Sequence, residues 1–166
     1  MNEDTLIDAE SAARVGTVAA AATGEVNQRD WQRWAAAVGD HNPLYFDPDY
    51  ARANGFRDIV CPPLFLQYAV LGVTALETLR ADGSSGAVSG SLAFPRAPKR
   101  MAGGESFTFY LPAYHRDQIE MVRTIESIVE KHGRSGKFVL VTWHTVYRNQ
   151  HHDLVAEAST SMIARA

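Results

Sequence analysis

Apolar residues recur at helical spacing early in the chain. Trp31, Trp34, Ala35 and Val38 fall on one face, with polar and charged positions between them. Asn27 is placed to cap this helix, Asp30 completes a capping-box pattern, and Gly39 supplies a left-handed stop. A second, short helix is predicted between an Asp47 cap, with Pro48 at its first position, and a Gly55 terminator. The third predicted helix is the longest. Pro62 and Pro63 stand in its first turn, and it runs through Leu64, Phe65, Leu66, Ala69, Val70, Leu71, Val73 and Leu76 to about Arg80. It is apolar nearly all round, which predicts burial on most sides, and Gly72 would admit a neighbouring strand. Ahead of these elements, a short amphipathic helix is expected up to Ala13 and a weak, alanine-rich strand over Thr17 to Thr23.

Beyond the loop at Asp82 to Gly86 the period changes to two. Phe107, Phe109 and Leu111 alternate with Ser106, Thr108 and Tyr110, and Ile119 and Met121 flank Glu120. Phe138 to Tyr147 is β-branched and aromatic with little polar alternation, which predicts burial of both faces and therefore a dimer. Leu154 to Ile163 forms a last strand, with tight turns at Gly133 to Gly136 and Asn149 to Asp153. No internal repeat interrupts this order, so residues 1–166 read as one domain. Helices followed by a meander predict an α+β fold, with one curved antiparallel sheet wrapped around the long helix.

Charge narrows the function. The 16 Lys and Arg against 19 Asp and Glu give a net charge of −3, without the basic stripe that nucleic-acid binding needs. Cys61 is the single cysteine, so no internal disulfide is expected and a reducing cytoplasm fits. The first residues lack the basic and apolar regions of a signal peptide, and the apolar stretch Leu64 to Leu76 is too short for a bilayer span. A soluble cytoplasmic domain without nucleic-acid or membrane partners is the expectation.

The stretch with the most chemistry is Gly39-Asp40-His41-Asn42-Pro43-Leu44-Tyr45, a carboxylate and an amide on a proline-fixed turn between two helices. It resembles the Gly-Asp-x-Asn-Pro-x-His signature of MaoC-like (R)-specific enoyl-thioester hydratases. Asn42-Pro43-Leu44-Tyr45 together with Cys61-Pro62-Pro63-Leu64-Phe65-Leu66 is similar to the N-terminal MaoC dehydratase-like subgroup. Arg148-Asn149-Gln150 followed by Asp153-Leu154-Val155-Ala156 resembles that family's last hairpin, and the likeness extends from about Val26 to Arg165. The resemblance implies a hot-dog fold and water addition to, or elimination from, the C2–C3 bond of an acyl thioester. It implies coenzyme A or acyl carrier protein as the thioester carrier, no cofactor, and assembly as a homodimer or with another MaoC-like chain.

Such a reaction needs a base for water, a proton for the α-carbon and N–H donors facing the thioester oxygen. On the resemblance, Asp40 matches the catalytic carboxylate and Asn42 the motif amide, while Tyr45 replaces the histidine. A phenol with a pKa near ~10 donates a hydrogen bond but is a poor base at neutral pH. His41 is the alternative base beside Asp40. Pro62 stands at the family's glycine and Pro63 follows, so neither offers an N–H, and Leu64 is the first donor in that turn. Cys61 keeps an N–H ahead of the turn. Arg96, Lys99 and Arg100, in the expected Pro-rich connection after the helix, are candidates for coenzyme A phosphates or an acidic carrier surface. Plainer readings stand beside these: Asp40 and Asn42 as turn residues, Tyr45 as a packed aromatic, Cys61 as a small buried hydrophobe, and the cations as solvated loop charges. Trp31 and Trp34 read as core or subunit interface, and His144 as structural. His151-His152-Asp153 sits in a turn, and no metal is expected. Three functions follow: a hydratase/dehydratase with an altered centre, a non-catalytic acyl-binding subunit of a heteromeric dehydratase, and a thioesterase.

Overall fold

The computed structural model describes residues 5–71, 76–79, 81, 92–134 and 136–166. Its frame is one antiparallel sheet of five strands: β1 (Val18–Glu25), β2 (Lys99–Phe109), β3 (Gln118–Gly133), β4 (Gly136–Arg148) and β5 (Leu154–Arg165). They lie in the order β1-β3-β4-β5-β2. The β3-β4-β5 meander is joined by tight turns at Gly136 (φ 107) and at His152 (φ 63). Bulges near Ala102–Gly104 and Ile125–Ser127 interrupt the ladders and let so long a sheet bend.

The helices are α1 (Ala9–Ala12), α2 (Gln28–Val38), α3 (Pro48–Ala53) and α4 (Leu66–Val70). The Asn27 side chain accepts from the Arg29 N–H, and Gly39 closes α2 at φ 74. Asp47 accepts from the N–H groups of Asp49 and Tyr50 at the start of α3. One core cluster joins Trp31, Ala35, Tyr45, Phe65, Leu66 and Val70 of the helical layer to Ile119, Met121, Tyr147 and Ala156 of the sheet. A second covers the other end of the same sheet face, where Leu92 and Phe94 pack on Ile125, Val139 and Val141.

One expectation is corrected. The long third helix is reduced to a 3-10 turn at Pro63–Phe65 followed by α4, and Leu71 has extended backbone at ψ 120. Gly72 and Val73 lie outside the described residues, as does the loop at 82–86. Leu71 is 59% exposed and Leu76 82% exposed, so neither gains the packing on which helix formation depends. A close approach is made by Gly24 of β1. A Cβ there would sit 1.7 Å from the Ala69 carbonyl oxygen. In β4, Val139, Val141, Thr145 and Tyr147 are buried, and Leu140, Thr142, His144 and Val146 between them are half-buried.

Candidate active site

The site is built where the helical layer meets one end of the sheet. β2 and β3 are consecutive in sequence, but β5 and β4 stand between them. Residues 110–117 therefore cross the end of the sheet. Tyr110 and Leu111 donate their N–H groups to the Val155 carbonyl at 2.9 and 3.3 Å. Asp117, buried at 8% exposure, clamps the far end of this crossing. Its carboxylate accepts from the Tyr114 N–H at 2.8 Å, the Gln150 amide at 3.1 Å and Arg57 at 3.4 Å. The Arg57 guanidinium also lies 3.9 Å above the Tyr114 ring.

Across from the crossing runs the turn at 39–47. Asp40 accepts from the Asn42 N–H at 3.3 Å, and the Asn42 side chain accepts from the Leu44 N–H at 3.1 Å. Both acidic and amide side chains thus shape the turn. Two donors from α2 hold its end: Trp31 Nε1 and Gln32 Nε2 reach the Tyr45 carbonyl at 3.3 and 3.1 Å. Tyr45 is buried, and its phenol interacts with Asp40 and Asn42. Burial and then the charge of Asp40 raise its pKa, against a smaller opposing effect of the Asn42 hydrogen bond. The phenol is a proton-bearing donor, not a base.

Between turn and crossing lies a cavity of about 370 Å³, within the usual range for small-molecule sites. Leu44, Phe56, Val60, Leu66, Phe109 and Leu111 make its wall apolar, and Asn42, Tyr45, Cys61 and Tyr110 supply polar groups. No carboxylate, imidazole or cation lines it among the described residues.

The sequence candidates divide accordingly. Tyr45, Asn42 and Cys61 come together in the wall. Asp40 stands behind it, linked through the Tyr45 phenol, and His41 is exposed and outside it. The Cys61 N–H is committed to the Ala113 carbonyl at 2.8 Å. Its thiol, buried and near the charge of Asp117, has its pKa pushed far up and donates to the Pro62 carbonyl at 3.4 Å. The Leu64 side chain is 46% exposed and outside the wall, while its N–H makes no bond to another described residue.

Arg96, Lys99 and Arg100 do not join this group. Lys99 and Arg100 open β2 rather than lying in a connection, and Phe109 at the other end of that strand meets the cavity. Ten residues of strand separate Lys99 from Phe109, roughly 30 Å. Arg96 instead reaches the Thr5 carbonyl at 3.2 Å, Lys99 the Ala166 carbonyl oxygen at 3.3 Å, and Arg100 the Leu92 carbonyl. Sequence reading missed Phe56, Val60 and the crossing segment 110–113. No local pattern marks them, because strand order alone carries the crossing past Cys61.

A curved antiparallel sheet that seats an Asp-x-Asn-Pro turn against a short helical segment defines the MaoC-like hot-dog class of dehydratases. Within that class the chain belongs to the family described as FAS1-like, dehydratase domain region, whose model matches residues 13–158. It is similar to a UPF0336 protein of Streptomyces avermitilis, 31% identical over 146 residues, covering 86% of this chain and 85% of that protein. A probable enoyl-CoA hydratase alpha subunit of Thermomonospora curvata is 29% identical over 128 residues, covering 75% of this chain and 40% of the relative. The crystal structure of the ChsH1-ChsH2 complex from Mycobacterium tuberculosis shares the fold with TM-score 0.72 at 21% identity, covering 93% of this chain and 88% of that one.

Proposed function

We propose that this chain is the acyl-binding half of a two-chain hydratase/dehydratase. The assembly adds water to the C2–C3 bond of an enoyl thioester, or removes it from the 3-hydroxyacyl form. The thioester is carried by coenzyme A or a carrier protein, and the partner is another MaoC-like chain. One observation carries the reading: among the described residues, the apolar cavity has polar groups in its wall but no group able to take a proton from water at neutral pH. In hydration, a base of the partner removes a proton from water as its oxygen bonds to C3. A proton is delivered to C2, and the π electrons pass through the thioester enolate. Here Asn42 and Tyr45 supply the polar groups on the cavity side, where the paired prolines supply no N–H. Names among the relatives support the two-chain form, since one is an alpha subunit and one structure is a complex.

The second reading is catalysis by the lone chain, favoured by the contact of the Tyr45 phenol with Asp40. There Asp40 is the base and Tyr45 its link to the cavity. Purified chain is assayed with short and medium enoyl-CoA substrates, alone and with a MaoC-like partner carrying an intact Asp-x-Asn-Pro-x-His. The expected result is no turnover alone and turnover with the partner that survives Asp40→Asn. Turnover by the lone chain that disappears in Asp40→Asn would overturn the subunit reading.

A further inference from the structure

The sheet carries a second built surface, on the face turned away from the helices and at the end opposite the cavity. Pairing registers set Lys131, Phe138, Arg165 and Lys99 in one row across β3, β4, β5 and β2. The adjoining row is Val129, Leu140, Ile163 and Met101. Residues two apart on a strand share a face, so both rows lie opposite the buried Val139, Val141 and Ala164. The row beyond holds serine, threonine and glycine, at Ser127, Thr142, Ser161 and Gly104.

Two features set this patch apart from ordinary surface. Met101 is 50% exposed and Val129 43%, with Leu140 and Ile163 half-buried between them, so an apolar strip crosses four strands uncovered. The row beside it bears three cations, and the three rows together contain no carboxylate, although the chain as a whole is net acidic. At the junction of the rows lies a depression of about 180 Å³, bounded by Met101, Phe138, Ile163, Arg165 and the hairpin glycines Gly133 and Gly136. A Cβ on Gly133 would stand 3.3 Å from the Phe138 ring, so the glycine leaves the ring its place beside the depression.

We infer that this face docks an acidic amphipathic helix of a partner protein. The strip supplies apolar anchor points about 4.8 Å apart across the strands, close to the ~5.4 Å rise of a helix turn. A helix of two to three turns laid across the strands sets one apolar residue per turn on the strip. Carboxylates on its flank then meet Lys131 and Arg165, while Lys99 at the end of the row is held at the Ala166 carbonyl oxygen. The charge pattern disfavours a second copy of this chain as occupant. Of the described helices, α2 alone exceeds two turns, and it bears Arg29, Arg33 and a single acid, Asp30. The inference does not rest on the function proposed for the cavity.

The probe is a fluorescein-labelled, twelve-residue helical peptide with leucines on one stripe and glutamates beside it, measured by fluorescence anisotropy against the full chain. The control peptide has glutamine at each glutamate. The glutamate peptide is expected to bind, to weaken with added salt, and to lose at least tenfold in affinity with Lys131→Glu plus Arg165→Glu. Arg33→Glu on α2 leaves binding unchanged. Both reversed residues are exposed, so circular dichroism of the variant matches the parent. Equal binding of the glutamine peptide, or indifference to the reversals, overturns the inference. So does binding to phosphatidylglycerol vesicles that the reversals abolish while the peptide fails to bind, which would make the face a lipid site. Self-association in sedimentation equilibrium that Leu140→Ser abolishes also overturns it, assigning the face to a second copy.

Discussion

The Cys61 N–H donates to the Ala113 carbonyl at 2.8 Å. This bond joins the entry to the helical segment to the chain that crosses the end of the sheet. It draws the two walls of the cavity together. It also occupies the backbone donor just ahead of Pro62 and Pro63, so the turn facing the cavity holds almost no free N–H.

The clamp at Asp117 governs that crossing. Asp117→Ala leaves the Tyr114 N–H and the Gln150 amide without their acceptor in a part-buried setting. A loss of about 2–4 kcal/mol in unfolding free energy is expected by urea denaturation. Acyl-thioester binding, followed by calorimetry, weakens with it because segment 110–113 loses its anchor. Full stability in the variant would show that the clamp is not structural.

Trp31 acts on the site from the core. It is fully buried, and its indole N–H holds the Tyr45 carbonyl. Trp31→Phe removes that donor and some packing volume, for an expected loss of about 1–3 kcal/mol. Thermal unfolding is expected to fall by roughly 2–4 °C for each kcal/mol lost. Gln32 still reaches the same carbonyl, so the turn is loosened rather than released.

Two glycines are expected to respond differently to alanine. At Gly24 the added Cβ meets the Ala69 carbonyl at 1.7 Å, and two backbones must separate. Gly24→Ala is expected to destabilise by about 3 kcal/mol or more. At Gly39 nothing lies within 4 Å of the added Cβ, and the penalty is the left-handed backbone at φ 74. Gly39→Ala is expected to lose only about 1–2 kcal/mol. Denaturant titration of both variants checks the order.

Cys61 makes stability depend on alkaline pH. Burial, then the charge of Asp117, raises the thiol pKa in the folded chain well above its unfolded value. Below the unfolded pKa, near ~8.5, both states hold the proton and the folded state suffers no disadvantage. Above it the unfolded thiol ionises while the folded one does not, so stability falls as pH rises. Tyr45 and Tyr147, also raised, add to the decline from about pH 10. Cys61→Ala is expected to flatten the pH 8.5–10 part of the profile. Native Cys61 is expected to resist iodoacetamide at pH 8 and to react once the chain is unfolded.

Local chemistry was readable in the residues themselves. Asn27, Asp47 and Gly39 act at helix ends as their side chains dictate, and the alternating strands appear where period two appears. The Asp40-to-Tyr45 block was likewise visible, because a capping turn is made by residues a few positions apart. The third helix stops at Val70 because apolar content alone does not pack: among the described residues, Leu71 and Leu76 are exposed. The place of Lys99 and Arg100 in the fold is not legible for a similar reason. Their distance from the cavity follows from an eleven-residue strand that begins at Lys99.

By itself, then, the sequence determined the helix caps, the alternating strands, the α+β class, the MaoC-like resemblance and the polar turn at residues 39–47, all from interactions within a few residues. Only the tertiary structure decided what that turn faces. Strand order sends residues 110–117 across the sheet, brings Ala113 to Cys61, and sets Tyr45 in the cavity wall with Asp40 behind it. Register alone gathers Lys131, Arg165 and Lys99 beside an apolar strip. These partners stand tens of residues apart in the chain. Their meeting is fixed by which strands pair, and short-range patterns do not encode that.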